Sequence, residues 1–195
     1  RRLRELQNRG VRNGAVLVVD QQNREILVWV NGGSDDPERN AGNIDAVLTP
    51  RQPGSAMKPF LYALALEKGW TAATLIDDSP LAMPVGAGLH DYRNYSRQNY
   101  GPLRLRDCLG NSLNIPAIKT IQYTGVNEFL KRMKELGCKS LFRPANYYGE
   151  GLALGNGELT LLELVQAYAA LAREGEFRPL TAVLGDSSGE REKRR

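Results

Sequence analysis

The chain is poor in the residues from which metal and redox sites are built. It has two cysteines, Cys108 and Cys138, and one histidine, His90. The cysteines have no metal-ligand spacing and no His/Cys cluster joins them, so no metal and no cofactor are expected. A disulfide between them has no support in the sequence. A Ser-His-Asp triad would have to use His90, but that residue lies in a Gly-, Pro- and Tyr-rich stretch and reads as a loop or surface histidine. No apolar run is long enough to span a membrane, and no signal peptide is present. The first residue is not Met, so the chain reads as a mature or excised piece of a longer protein. Excess charge is small, +4, and gathers at the ends: Arg1, Arg2 and Arg4, then Arg191, Lys193, Arg194 and Arg195. That is the pattern of solvated tails, and no nucleic-acid partner is expected. There is no internal repeat. At 195 residues, 42% hydrophobic and 25% charged, the chain can form one soluble domain with a real core.

Arg1 to Asn13 reads as a charged helical lead-in. Gly14–Asp20 and Ile26–Gly33 are β-branched runs around a short polar turn, hence a hairpin. Both are continuously apolar, which predicts cover on both faces. Ser34 to Pro53 is a polar connection. Leu81 to Pro102 reads as a long ordered loop, a kind that is usually functional. Short helices are expected at Leu103–Leu109 and Ile115–Tyr123, and an amphipathic one at Asn127–Leu136. Thr160-Leu161-Leu162-Glu163 matches a capping box and starts an apolar helix to about Glu174. Arg178–Leu184 is a candidate strand. Gly185 to Arg195 is polar, basic and expected to be disordered.

The most informative stretch is Gln52-Pro53-Gly54-Ser55-Ala56-Met57-Lys58-Pro59-Phe60. Pro53-Gly54 is a turn into an apolar helix that ends near Gly69. Ser55 and Lys58 stand one turn apart on one face. A lysine in the first turn opposes the helix dipole, and burial beside Met57 and Phe60 also disfavours the ammonium. Both effects favour a neutral amine able to take a proton from Ser55. The competing reading has Lys58 snorkelling to water and Ser55 as an N-cap. A lysine follows a given serine at this spacing about once in fifteen to twenty by ordinary usage. The spacing therefore needs company.

Ser112-Leu113-Asn114 supplies it. Alone, S-x-N reads as a helix cap. Downstream of S-x-x-K and between two short helices, it completes two of the three motifs of the penicillin-binding serine acyltransferases. With the stretches RQPGSAMKPFLYALALEKG, NYGPLRLRDCLGNSLNIPAIKT and GLALGNGELTLLELVQAYAALAREGEF, the chain resembles the transpeptidase domain of class A penicillin-binding proteins, in the manner of the 1C subgroup. The resemblance runs from about Gly14 to about Leu184.

The resemblance implies an α+β fold of the penicillin-binding-protein and serine β-lactamase type, an antiparallel sheet flanked by helices. It divides the chain into a lead-in (1–13), the N-terminal two-thirds of a transpeptidase domain (14–184) and a basic tail (185–195). It implies a D,D-transpeptidase at the outer face of the cytoplasmic membrane or in the periplasm. The partners would be peptidoglycan stem peptides and β-lactams. Ser55 would be the nucleophile, Lys58 its base, Ser112 a proton relay, and Asn114 a catalytic-site ligand of the bound donor. The third motif, K-T/S-G, does not occur in the sequence. In the family it lies on a later strand that also supplies an oxyanion-hole donor. The C-terminal strands are therefore expected from elsewhere, as a second chain or a swapped copy. Alternatives are a β-lactam sensor domain without turnover, a class A β-lactamase, and a structural domain with a dead site. The lactamase would need a loop glutamate for deacylation, and no E-x-x-L-N stretch lies between Asn114 and Gly157.

Overall fold

The hairpin forms where the β-branched runs predict it. The computed structural model describes residues 2–11, 13–33, 44–85 and 88–182. They divide into two units: one of residues 1–51, 134–141 and 158–195, the other of residues 52–133 and 142–157.

In the first unit, the lead-in begins with helix α1 (Arg2–Leu6). Strands β1 (Gly14–Asp20) and β2 (Glu25–Gly32) pair antiparallel, with Val16 opposite Val30 and Leu17 opposite Trp29. Asp20 closes the turn by accepting from the N–H groups of Gln22 and Asn23. Helix α7 (Leu161–Ala172) contacts β1 and starts with the predicted capping box: Thr160 Oγ1 accepts from Glu163 N–H, and Glu163 Oε2 accepts from Thr160 N–H. The expectation of cover on both faces fails. Val16 and Val30 are 54% and 51% exposed, and Val18, Leu27 and Val28 are exposed with them. The apolar runs are long enough to face two layers, but among the described residues only one layer is present. Of the candidate strand at 178–184, residues 178–182 are described and form only a bridge, in which Ile26 N–H donates to Thr181 O and Thr181 N–H to Arg24 O. The basic tail lies outside the described residues.

The second unit is built on helix α2 (Lys58–Glu67), which buries Phe60, Leu61, Tyr62, Leu64 and Ala65. It ends as predicted, with Gly69 at φ +103° and Trp70 N–H donating to Ala65 O. The stretch 81–102 is not simply a loop. Strand β3 (Leu75–Asp78) pairs with β6 (Gly101–Arg104), and β4 (Leu81–Val85) with β5 (Gly88–Tyr92), both antiparallel. Its Gly and Pro content hid strands of four or five residues, which carry little periodicity of their own. Leu103 thus belongs to β6, and helix α3 is Leu105–Gly110. Tyr62, Ile76, Leu105 and Cys108 form one core cluster, with Trp70 and Leu103 packed against it. Helix α4 (Asn114–Thr124) packs on α2. Helix α5 is Val126–Glu135, α6 is Ala145–Tyr148, and a 3₁₀ segment, Gly149–Leu154, leads to Gly155. Both cysteines are free and buried. Burial pushes their thiols up, to about 11 for Cys108 and about 12 for Cys138, which leaves them unreactive.

Candidate functional site

The chain enters the site through Pro53 and Gly54, the latter at φ +60°, a conformation natural to glycine. Gly54–Met57 is a 3₁₀ turn, tighter than the α-helix expected, and Lys58 N–H donates to Ser55 O at its end. In 3₁₀ geometry positions i and i+3 eclipse, so Ser55 and Lys58 stand one over the other. Ser55 is exposed, whereas Lys58 is only 1% exposed. The snorkelling reading of Lys58 is therefore excluded.

Lys58 Nζ donates to Ser112 O at 2.6 Å and Asn114 Oδ1 at 2.8 Å, and lies 3.3 Å from Ser112 Oγ. All of these partners belong to the second motif. Among the described residues, neither Ser55 Oγ nor a carboxylate bonds the amine. Burial alone lowers its pKa to about 8. A neutral amine has two protons and one lone pair. The two carbonyl-type oxygens can take both protons, leaving the lone pair for a hydroxyl.

Ser112 owes its place to the end of α3. Ser112 N–H donates to Leu109 O and Leu113 N–H to Cys108 O, the bonding pattern of a Schellman motif with Ser112 at the left-handed C′ position. Its φ is +52°, where glycine is usual. The next residues open α4, so the serine and Asn114 lie on either side of a two-helix junction. A cavity of about 370 Å3 lies against this junction, lined among others by Tyr95, Tyr100, Leu103, Ser112 and Leu113.

The structure thus brings together Lys58, Ser112 and Asn114, and sets Ser55 on the turn that carries the lysine. It adds residues that sequence reading missed. Asn94 Oδ1 accepts from Asn114 N–H at 2.8 Å, and Asn114 Nδ2 donates to Arg93 O at 2.9 Å. Gly155, at φ +74°, lies so close to Gly54 that a Cβ there would sit 2.3 Å from Gly54 O. The functional reading of the 81–102 stretch was the available signal for Asn94. Nothing in the sequence signalled Gly155 beyond the glycine punctuation of 149–157.

Helices gathered round short antiparallel sheets, with an S-x-x-K turn facing an S-x-N junction, define the penicillin-binding type of α+β domain. The family described as Penicillin binding protein transpeptidase domain matches residues 14–193. The chain belongs to that family. It is 30% identical over 164 residues to penicillin-binding protein 1C of Escherichia coli, covering 83% of this chain and 21% of that protein. It is 34% identical over 164 residues to penicillin-binding protein 1A of Haemophilus influenzae, covering 84% and 18%. The crystal structure of penicillin-binding protein 1A from Haemophilus influenzae superposes with a TM-score of 0.76 at 32% identity, over 87% of this chain and 25% of that one. The chain spans about a fifth of the length of these curated relatives. None of its described helices is long and apolar enough to cross a membrane.

Proposed function

We propose that this chain carries the nucleophile half of a peptidoglycan D,D-transpeptidase site, which β-lactams acylate. The observation that carries the reading is Lys58: a buried amine that bonds no carboxylate among the described residues, one turn from Ser55 and bonded to Ser112 and Asn114. Ser55 Oγ attacks the carbonyl carbon of the penultimate D-alanine of a stem peptide and its proton passes to Lys58 Nζ. The tetrahedral intermediate then expels the terminal D-alanine. The C–N bond breaks, and the leaving amine takes a proton delivered through Ser112. An amine of a neighbouring stem attacks the acyl ester, returns a proton by the same route and frees Ser55. With a β-lactam, the ring C–N bond opens and the acyl group stays on Ser55.

Asn114 donates to the bound peptide through the Nδ2 proton that Arg93 O leaves free. The K-T/S-G motif, with the second oxyanion donor, is contributed by polypeptide outside this sequence, and further strands cover the open β1/β2 hairpin. The site works at the outer face of the cytoplasmic membrane or in the periplasm. The test is peptide mapping of a labelled penicillin adduct in the full-length protein carrying this chain. Label is expected on Ser55 and lost in Ser55→Ala; label on Ser112, or label that survives the substitution, would sink the assignment.

A further inference from the structure

One buried carboxylate takes no part in this chemistry. Asp78, at the end of β3, is 0% exposed. Its Oδ1 and Oδ2 each accept from Asn94 Nδ2 at 2.8 Å, and Oδ2 also accepts from Tyr100 N–H at 3.0 Å. Asn94 is 4% exposed and its Nδ2 donates further to Gln98 O at 2.9 Å. A carboxylate only accepts, so it holds the NH2 end of Asn94 toward itself and turns Oδ1 the opposite way. There Oδ1 meets the start of α4, accepting from Asn114 N–H at 2.8 Å and Ile115 N–H at 3.4 Å.

The start of a helix leaves N–H groups without intrahelical partners, and an Ncap side chain usually takes one of them. At α4 the Ncap is Leu113, which makes no such bond. The third position is Pro116, which has no N–H. Asn94 therefore caps α4 from another part of the chain. Its neighbour's carbonyl, Arg93 O, holds the Asn114 side chain at the same time. Two consecutive residues thus grip Asn114 by backbone and side chain and leave its Oδ1 for Lys58 Nζ.

We propose that Asp78 and Asn94 form a clamp that positions the second motif: the carboxylate orients the amide, and the amide sets where Asn114 meets Lys58. The hydrogen bonds of both residues run to Asn114, Ile115, Gln98, Tyr100 and each other, and not to Ser55 or Lys58, so we assign both as positioning residues. The functional weight of the clamp rests on the roles proposed above for Lys58 and Asn114.

The test is a charge exchange in the full-length protein carrying this chain. Asn94→Asp keeps size and cap acceptors but sets a second carboxylate against Asp78 with no donor between them. Asp78→Asn with Asn94→Asp restores one amide facing one carboxylate. Labelled penicillin gives the saturating acylation rate and the half-saturating concentration, measured well below each variant's melting temperature. Asn94→Asp should lose about tenfold to a hundredfold in the saturating rate, the scale of a small misplacement, with half-saturation nearly unchanged. The double exchange should recover most of the loss. Amide hydrogen exchange at Asn114 and Ile115 supplies a readout independent of acylation: slow in wild type and in the double exchange, fast in Asn94→Asp. Folded Asn94→Asp with the wild-type rate and slow exchange, or a loss that the double exchange leaves in place, would overturn the clamp. If the wild type itself is not acylated, the proposed function fails, and the exchange rates still decide whether the clamp holds α4.

Discussion

A lysine sealed from water, with no carboxylate bonded to it among the described residues, favours its neutral form, and this has consequences for stability as well as chemistry. The Lys58 pKa is about 8 in the folded protein, against 10.5 for the free side chain. Between these values the unfolded chain holds more protons than the folded one, so stability rises with pH across that window. Below pH 8 the charging penalty is fully present. A shift of this size corresponds to something on the order of 3 kcal/mol. Wild type should therefore gain stability relative to Lys58→Met between pH 8 and pH 10.5, read by denaturant unfolding of both proteins at several pH values. A constant difference across that range would mean the ammonium is not penalised. Acylation should show an acid limb near pH 8, because a protonated Lys58 cannot accept the Ser55 proton. Lys58→Ala should abolish acylation, as followed with labelled penicillin.

At the scale of elements, two junctions hold this chemistry in place. Ser112 occupies a left-handed C′ position, where a side chain costs backbone energy that glycine avoids. Ser112→Gly should raise stability by about 1 kcal/mol, the left-handed penalty less the extra unfolded-state entropy of glycine, while slowing acylation, since the hydroxyl is lost. A melting curve beside an acylation time course checks both; a variant both less stable and fully active would contradict this account. Gly155 meets the backbone of Gly54, where an added Cβ would lie 2.5 Å from Gly54 N and 2.7 Å from its Cα. Backbone cannot swing aside as a side-chain tip can. Gly155→Ala should therefore cost about 1–3 kcal/mol, from overpacking and left-handed strain, and should displace the Ser55 turn. The expected result is a lower melting temperature together with slower acylation of the protein that remains folded.

At the scale of the whole molecule, the open hairpin is the dominant feature. Helix α7 packs on β1 but leaves an apolar face of the hairpin exposed, and among the described residues only the bridge to Thr181 extends its edge, which invites pairing with other chains. Residues 1–195 expressed alone should self-associate and acylate slowly or not at all. Exchanging the cross-strand pair Val16 and Val30 for Lys and Glu should make the isolated chain more soluble, as read by size-exclusion chromatography. The same exchange in the full-length protein should lower its melting temperature, because there the face is to be covered. A wild-type chain 1–195 that is monomeric, melts cooperatively and takes up penicillin at the full-length protein's rate would overturn the proposal.

What the sequence determined by itself is what short-range chemistry encodes. The β-branched runs specify the hairpin, Thr160 and Glu163 specify the start of α7, and Gly69 ends α2, because each depends on residues within a few positions. The family resemblance carried by the S-x-x-K and S-x-N stretches singled out Ser55, Lys58, Ser112 and Asn114 as candidates. Only tertiary structure decided that Lys58 is buried and bonded to residues more than fifty positions away. Only it revealed Asp78 and Asn94, whose partners are 16 and 20 positions distant and share no periodicity with them. Gly155 is the extreme case: its role is an absent side chain, visible only where Gly54 fills the space. Local sequence sets backbone conformation and apolar pattern, whereas burial, an amine's proton affinity and a cap lent across the chain arise only once distant segments displace water together.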